Sequence, residues 1–231
     1  MRITLLTFIM AISVIEMMAQ TGELEGHWEI ALPVSYSVSE RWKMNTTVAS
    51  RTGFYEQIQE DDRLELFINF IEISQYATYR AGHNISLTGG YRYRSVNPTE
   101  GTGEREHRLM QQIGIIHVRA PTRIASRLRI EQRFRTDDFA HRIRYRLSAD
   151  RPLQGEKLDV GEFYGIVSIE MVGDFGRQVD TSLEIRISVG FGNKWGQSAK
   201  IQIEAQVRSD DIFDRPINTF FLMTGFYFNF D

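Results

Sequence analysis

Residues 123–135 read RIASRLRIEQRFR, and residues 139–147 read FAHRIRYRL. In both segments apolar and charged residues alternate with a period of two, as in a β-strand whose two faces meet different surroundings. The residues between them, Thr136-Asp137-Asp138, form a short polar connection. The pattern therefore predicts a β-hairpin with one apolar face and one face rich in arginine.

The same alternation recurs along most of the chain. Residues 179–191 and 198–208 set apolar side chains against serine, glutamate, arginine, lysine and glutamine, and less regular segments contain Trp28, Trp42 and Leu64. About eleven segments qualify as strand candidates by this criterion. After residue 20 no run of about 18 apolar residues occurs, so no helix of that kind is expected to cross a membrane. The predicted fold class is all-β.

The N-terminus has the pattern of an export signal. Met1-Arg2 is followed by an apolar run as far as Met18 and then by Ala19-Gln20. One basic residue, a short apolar stretch and a small residue at its end are typical of a cleaved signal peptide. We therefore predict a signal peptide at residues 1–20 and a single β-barrel domain at residues 21–231.

The composition argues against several classes of protein. The chain has no cysteine, which excludes disulfides, thiolate metal sites and an acylated cysteine. It has 27 Lys plus Arg against 30 Asp plus Glu, a balance that predicts no attraction to nucleic acid. Its five histidines do not have the spacing of a zinc motif. We expect neither a metal nor a cofactor.

A membrane barrel accounts for the charged faces better than a soluble sandwich does. In a sandwich the arginines of the hairpin would form a strongly cationic exterior, whereas in a barrel they face a watery lumen and pair with carboxylates on other strands. Basic residues outnumber carboxylates in the predicted set, which predicts surplus positive charge. The predicted lumen-lining residues are Arg127, Arg129, Glu131, Arg133, Arg135, Arg142, Arg144, Arg146, Glu170, Glu184, Arg186, Lys200, Glu204 and Arg208.

The connections between the predicted strands alternate in length. Short ones lie near Ser39, Gly82, Pro121 and Lys194, with longer polar ones between them. Outer-membrane barrels have short periplasmic turns and long external loops, and this rule places both termini on one side of the membrane. The expected number of strands is therefore even, 10 or 12.

The arginine hairpin also resembles a known family. Residues 127–134 and 141–147, with Gly89-Gly90-Tyr91-Arg92-Tyr93 and Glu106-His107-Arg108, resemble the signature of an uncharacterised Gram-negative outer-membrane β-barrel family, a domain-of-unknown-function family. Residues 219–231, an aromatic alternation, resemble the C-terminal signal that the barrel-assembly machinery recognises. The resemblance implies a transmembrane antiparallel up-and-down β-barrel in the cell outer membrane, in contact with outer-membrane lipid, and it implies no catalytic residues.

Three functions are compatible with this fold. The first is a structural, scaffold or partner-binding barrel, in which Arg/Glu ion pairs fill the lumen and the acidic loop Glu56–Asp62 meets another envelope protein. The second is a small anion-selective channel for acidic solutes. A continuous lumen favours the channel and a filled lumen favours the scaffold.

The third function, a barrel enzyme that acts on lipid, is the minor alternative. Known barrel enzymes use a serine or a carboxylate together with a histidine, and closure of the barrel could bring together His107, His141, Ser168 and Glu170. A chain of this size contains such residues by chance. We therefore expect that the protein is not an enzyme.

Overall fold

A computed structural model of the chain describes residues 24–58, 61–63, 66–99, 103–136, 138–176, 181–210 and 217–230. The predicted signal peptide lies outside these residues, and within them no helix is long and apolar enough to cross a membrane. The strands are β1 Leu24–Ser37, β2 Trp42–Ile58, β3 Asp61–Arg63, β4 Phe67–Arg80, β5 Ile85–Val96, β6 Arg105–Arg119, β7 Thr122–Phe134, β8 Phe139–Pro152, β9 Phe163–Gly176, β10 Ser182–Asn193, β11 Ala199–Asp210 and β12 Ile217–Phe230.

Eleven strands close into a barrel, which confirms the predicted fold class. From β1 to β12 each barrel strand pairs antiparallel with the next one along the chain, and the three-residue β3 pairs only with the end of β2. The ring closes where β1 pairs in parallel with β12, in a register that runs from Leu24 opposite Asn218 to Tyr36 opposite Phe230. We call this parallel pair the seam.

The expected strand number, 10 or 12, is wrong. When an odd number of strands alternates in direction, the first and the last point the same way and can pair only in parallel. The chain therefore enters the barrel at one end and leaves it at the other, whereas the prediction placed both termini at the same end. Parallel and antiparallel strands show the same period-two alternation, so the sequence pattern holds no signal for a parallel seam.

The two ends of the barrel carry different connections. At the turn end the chain connects strands through residues 38–41, 81–84, 120–121, 153–162 and 194–198. At the loop end it connects them through residues 59–66, 97–104, 135–138, 177–181 and 211–216. The predicted alternation of short and long connections fails at 153–162, which is long although it lies at the turn end, and at 135–138, which is short although it lies at the loop end.

The long connection at 153–162 is anchored to its neighbour at the turn end. Gly161 adopts a φ of 90°, a conformation that glycine reaches without steric cost. The amide N–H of Gly161 donates a hydrogen bond to the carbonyl of Lys194 at 2.6 Å, and the amide N–H of Lys194 donates to the carbonyl of Glu162 at 3.1 Å. These backbone bonds hold 153–162 against the β10–β11 connection.

The barrel wall is apolar outside and polar inside. The predicted hairpin is confirmed: β7 and β8 are antiparallel, with Phe134 opposite Phe139, and the amide N–H of Arg135 donates to the carbonyl of Asp138 at 2.9 Å. On this hairpin Leu128 is exposed on the outer face whereas Glu131 is fully buried inside. The polarity is the reverse of that of a soluble domain, and it is the arrangement that a membrane barrel requires.

Candidate functional site

The arginines of the β7–β8 hairpin stand directly opposite one another inside the barrel. The register pairs Arg127 with Arg146 and Arg129 with Arg144. Like charges at directly opposite positions destabilise a pair of strands. The hairpin therefore needs carboxylates close to its inner face.

Glu131 is the first of these carboxylates and has no exposed surface. Its carboxylate oxygens lie 3.2 Å from Nη1 of Arg108, 3.6 Å from Nη1 of Arg129 and 3.3 Å from Nη1 of Arg144. A carboxylate excluded from water costs several kcal/mol unless cations compensate it, and here three guanidinium groups do so.

Glu170, on β9, is the second carboxylate. It lies 2.8 Å from Nη2 of Arg127, 2.6 Å from Nη2 of Arg144 and 3.6 Å from Nη1 of Arg186. Arg144 thus binds both Glu131 and Glu170, and it joins their contacts into one network. We call this network the central cluster; its members are Glu131, Glu170, Arg108, Arg127, Arg129, Arg144 and Arg186.

Further ion pairs continue from the central cluster towards the loop end. Glu106, which is buried, lies 2.8 Å from Nη2 of Arg133 and 2.8 Å from Nε of Arg135. Asp174 pairs with Arg142, and Arg133 lies 3.7 Å from it. The lumen face of β6 to β9 is therefore occupied by paired charges over much of its length.

A second arrangement of arginines lies near the seam. The guanidinium carbon of Arg51 is 4.7 Å from the ring centroids of both Phe70 and Phe221. Arg94 stands 3.7 Å from the Phe70 ring on one side, and Arg208 stands 3.5 Å from the Phe221 ring on the other. Alternating guanidinium and phenyl planes form a row of cation–π contacts, which we call the seam ladder.

Glu29 connects the seam ladder to the first strand. Its carboxylate lies 3.0 Å from Arg51 on β2 and 3.8 Å from Arg208 on β11. The two arginines stand on opposite sides of the β1–β12 pair, so Glu29 links the strands that flank the seam from inside the lumen. Side-chain contacts thus support the one parallel pairing of the barrel.

On the turn-end side of Glu29 and Arg51, the lumen face of β1 and β2 carries mostly small side chains. Ala31 stands opposite Ala49, and Pro33, Ser35 and Thr47 continue this face towards the turn end. A cavity of about 880 Å³ lies against it. We call this face the small-residue wall.

The cavity runs from one end of the barrel to the other. Its lining includes Ser182 and Asp210 at the loop end and Ser35, Lys43 and Tyr227 at the turn end. Its other side is formed by arginines of the central cluster and of β8. The cavity therefore lies between the small-residue wall and a cationic wall, and we call it the passage.

The structure places most of the predicted lumen residues along this passage. Those that line it are Arg127, Arg129, Arg133, Arg142, Arg144, Arg146, Glu170, Glu184, Arg186 and Arg208. Glu131 is buried in the central cluster, and Glu204 lies 3.6 Å from Arg146. Arg135 lies in the β7–β8 connection, and Lys200 stands over the Tyr164 ring at 5.7 Å near the turn end.

Sequence reasoning missed several charged residues of the lumen. They are Glu29, Arg51, Glu72, Arg92, Arg94, Glu106, Arg108 and Asp174. The alternation contained a signal for some of them, because Arg92 and Arg94 alternate with Tyr91 and Tyr93. They comprise four carboxylates and four arginines, so the positive charge that the predicted set left over is unchanged by them.

The four residues considered as a catalytic set lie on opposite sides of the barrel wall. His107 and His141 are on the outer face, where His141 stacks on Phe175 with ring centroids 5.5 Å apart. Ser168 and Glu170 face the lumen, and the Ser168 hydroxyl is 2.6 Å from that of Ser188. Closure of the barrel therefore does not assemble this set. The described residues also contain no group of three or more His, Asp or Glu side chains that could hold a metal ion.

The outer face carries one polar contact of another kind. The hydroxyl of Tyr91 lies 2.6 Å from Nδ1 of His107, and the ring of Tyr93 stands 5.3 Å from the imidazole. The dyad is exposed on the surface that faces lipid in a membrane barrel. The imidazole is thus oriented by a hydroxyl, and among the described residues its Nε2 atom has no hydrogen-bond partner.

Comparisons with known proteins agree with the fold. A family model described as "Protein of unknown function (DUF2490)" matches residues 27–217. No curated protein matches the chain in sequence. Among solved structures, LpxR from Salmonella typhimurium is similar with a TM-score of 0.56 and 8% identity, over 86% of this chain and 87% of that one. The fold is that of an outer-membrane β-barrel.

The expectation that the protein is not an enzyme is corrected by this comparison. LpxR is an outer-membrane lipid A deacylase, so a barrel of this fold carries an active site. At 8% identity the likeness extends to the fold alone. A barrel fold and a lumen full of ion pairs are thus no ground for excluding catalysis.

Proposed function

Because the chain belongs to DUF2490, a family of proteins of unknown function, its family supplies no activity, and we propose from its lumen that it is a small anion-selective channel for acidic solutes. We further propose that residues 1–20 direct its export and that it resides in the cell outer membrane. Insertion there would use the barrel-assembly machinery, with the turn end on the periplasmic side.

One observation carries this proposal: the cavity between the small-residue wall and the cationic wall reaches both ends of the barrel. The cavity holds about 880 Å³, many times the roughly 30 Å³ that one water molecule occupies in the liquid. Such a passage suits anions of the size of a carboxylate or a phosphate group. A lumen plugged by its ion pairs, as the scaffold function requires, would leave no such space.

The charge of the passage supports selectivity for anions. Arg127 and Arg146 line it with side chains that are 28% and 22% exposed, so both side chains meet solvent in the cavity. A narrow passage with low-dielectric walls concentrates the potential of such charges on a passing ion. Arginine also offers the paired donors that match carboxylate and phosphate oxygens.

The test compares ion selectivity in planar bilayers between the wild type and an Arg127→Gln, Arg146→Gln variant. These two arginines can be neutralised with little effect on the fold, because their carboxylate partners retain other contacts. Glu170 remains paired with Arg144 and Arg186. Glu204 still accepts a hydrogen bond from the Ser188 hydroxyl at 3.0 Å. The wild type should show a reversal potential of an anion-selective pore under a salt gradient. The variant should lose about threefold or more in the permeability ratio of anion to cation.

Arg151→Gln is the matched control. Arg151 lies on the same strand as Arg146 but is exposed on the outer face, so its neutralisation should leave selectivity unchanged. A folded wild-type barrel that conducts no current, or that selects cations, would refute the channel and restore the scaffold function.

A second candidate function, a lipid-modifying barrel enzyme, is favoured by the Tyr91–His107 dyad. An exposed imidazole held by a hydroxyl at 2.6 Å is a candidate general base on the surface where a membrane lipid would lie. Mass spectrometry of envelope lipids from cells that express the wild type or His107→Ala tests it. A lipid product that forms with the wild type and disappears with the variant would support catalysis; identical lipid profiles would rule it out.

A further inference from the structure

A groove in the outer wall of the barrel lies apart from both candidate sites. Its floor is the cross-strand pair Ala77 on β4 and Gly89 on β5. A Cβ atom added to Gly89 would meet no other atom within 4 Å, so the floor is open to the outside. The groove has a volume of about 670 Å³, within the range of about 300 to 1,000 Å³ that is usual for ligand sites.

Large apolar side chains stand on both sides of this floor. They are Trp42, Tyr79, Leu87, Ile113, Leu128 and Ile130. The surrounding wall is the lipid-facing surface of the barrel, where outward side chains meet hydrocarbon. The groove is therefore a slot in a surface that is otherwise covered by large side chains. In a membrane, the apolar groups next to this surface are the acyl chains of lipids.

The two ends of the groove differ in polarity. Towards the loop end, the side-chain amides of Gln111 and Gln132 bond each other reciprocally at 3.1 Å, which satisfies them in an apolar setting. At the turn end, the rings of Trp42 and Tyr79 pack with centroids 5.1 Å apart. Tryptophan and tyrosine are enriched at the level of the lipid headgroups.

A cation stands next to this aromatic pair. Nη1 of Arg41 donates a hydrogen bond to the Tyr79 hydroxyl at 3.1 Å, and the Arg41 side chain is exposed. Among the described residues Arg41 forms no ion pair, so its remaining guanidinium donors suit a phosphate oxygen. Along the outer wall from Arg41 towards Gln111, a cation is thus followed by an aromatic pair and then by an apolar slot.

We propose that this groove binds one glycerophospholipid of the leaflet at the turn end, with an acyl chain over Ala77 and Gly89 and the phosphate against Arg41. The order of chemical groups along the groove matches the order along such a lipid. The site is separate from the lumen, and the proposal does not depend on ion conduction.

Photo-cross-linking of the full chain in phospholipid nanodiscs tests the site. The probe is a phosphatidylglycerol with a diazirine at the end of one acyl chain, and mass spectrometry locates the adducts. In the wild type the adducts should concentrate on the peptides that contain Ile113 and Leu128, next to the apolar slot. Gly89→Leu fills the floor and should lower their yield by about fivefold or more.

Gly173→Leu is the matched control, because Gly173 also has open space around its added Cβ but lies on β9, far from the groove. It should leave the adducts unchanged. Arg41→Gln should lower the yield with the phosphatidylglycerol probe and leave it unchanged with a diazirine diacylglycerol, which lacks the phosphate. Heat-modifiable mobility in gels verifies that each variant is folded.

Adducts spread evenly over the outer wall of the wild type would overturn the proposal. So would equal yields from the wild type and Gly89→Leu, or equal losses from Gly89→Leu and Gly173→Leu. If Gly89→Leu does not fold, Arg41→Gln decides the matter, since an unchanged yield with the charged probe contradicts the phosphate contact.

Discussion

The lumen face of β6 to β9 and that of β1 to β2 differ in the size and charge of their side chains, although both belong to one barrel. The first holds long arginines and buried carboxylates, with Glu131 in contact with three guanidinium groups. The second holds small residues such as Ala31 and Ala49, which stand opposite each other. Charged side chains fill the first face; on the second face Glu29 and Arg51 form an ion pair, and the small residues beyond it leave the space open.

The contrast teaches that a lumen rich in ion pairs need not be plugged. Most long side chains of β6 to β9 pair with carboxylates on these same strands, because a buried charge without a partner is costly. Small residues on the facing wall leave the remaining space to the cavity. The four substitutions that follow probe this contrast, from the largest expected effect to the smallest.

Glu131→Gln should cause the largest loss of stability. It removes the charge that compensates Arg108, Arg129 and Arg144, and the loss of one partner from a buried ion pair costs about 3–5 kcal/mol. Urea unfolding in detergent micelles, followed by tryptophan fluorescence, measures the free energy of unfolding. Glu204→Gln is the control, because Arg146 lies 3.6 Å from Glu204 and is its only arginine neighbour among the described ion pairs. Equal losses of stability in the two variants would contradict the central cluster as the main ionic element.

Phe221→Leu should have the next largest effect, because it removes a ring between Arg51 and Arg208 in the seam ladder. A desolvated cation–π contact contributes about 2 kcal/mol, and we expect a destabilisation of that size. The same unfolding assay measures it. Phe191→Leu, at an exposed outer position, is the control and should change stability by less than about 1.5 kcal/mol. Equal effects would mean that the ladder does not support the seam.

Ala31→Trp should act on the passage more than on the fold. A large ring on the small-residue wall enters the cavity, and the proposed channel should lose about tenfold in single-channel conductance. Leu32→Trp, one residue further along the strand, places the same ring on the outer face and should conduct like the wild type. A normal conductance of Ala31→Trp would show that ions do not pass along this wall.

Arg123→Gln should have the smallest effect. Arg123 lies 2.8 Å from Asp150 at the turn end, but its side chain is 52% exposed. Ion pairs in contact with water contribute about 0–1 kcal/mol. A destabilisation above about 2 kcal/mol in the unfolding assay would mean that this ion pair at the turn end contributes as much to stability as a buried pair of the central cluster.

The hairpin was predictable because its information is local. In residues 127–134 the position of each arginine relative to its neighbours determines its face, so Arg127, Arg129 and Arg133 could be assigned to the lumen from alternation alone. The same rule applied to Arg92 and Arg94 would have extended the candidate site to β5. The family resemblance is confirmed by the match over residues 27–217.

The seam ladder was not predictable in this way. Arg51, Phe70 and Phe221 are far apart in the sequence, and each has an ordinary position in its own strand. Only the register of the strands places a guanidinium between two rings. His107 and Ser168 are a related case, because they lie on opposite sides of the barrel wall. Alternation groups the residues of one strand by face, but it does not tell which face of one strand lies on the same side as a given face of another.

The sequence by itself determined the all-β class and which residues share a strand face, because a period of two along each strand is a property of neighbouring residues. The tertiary structure decided the number of strands, the parallel seam and the shape of the lumen. These depend on which strands meet and in what register, and a parallel pair has the same alternation as an antiparallel one. Whether arginines fill a lumen or line a passage depends on the size of the side chains on the wall they face. Here that wall is formed by β1 and β2, whose small residues leave space.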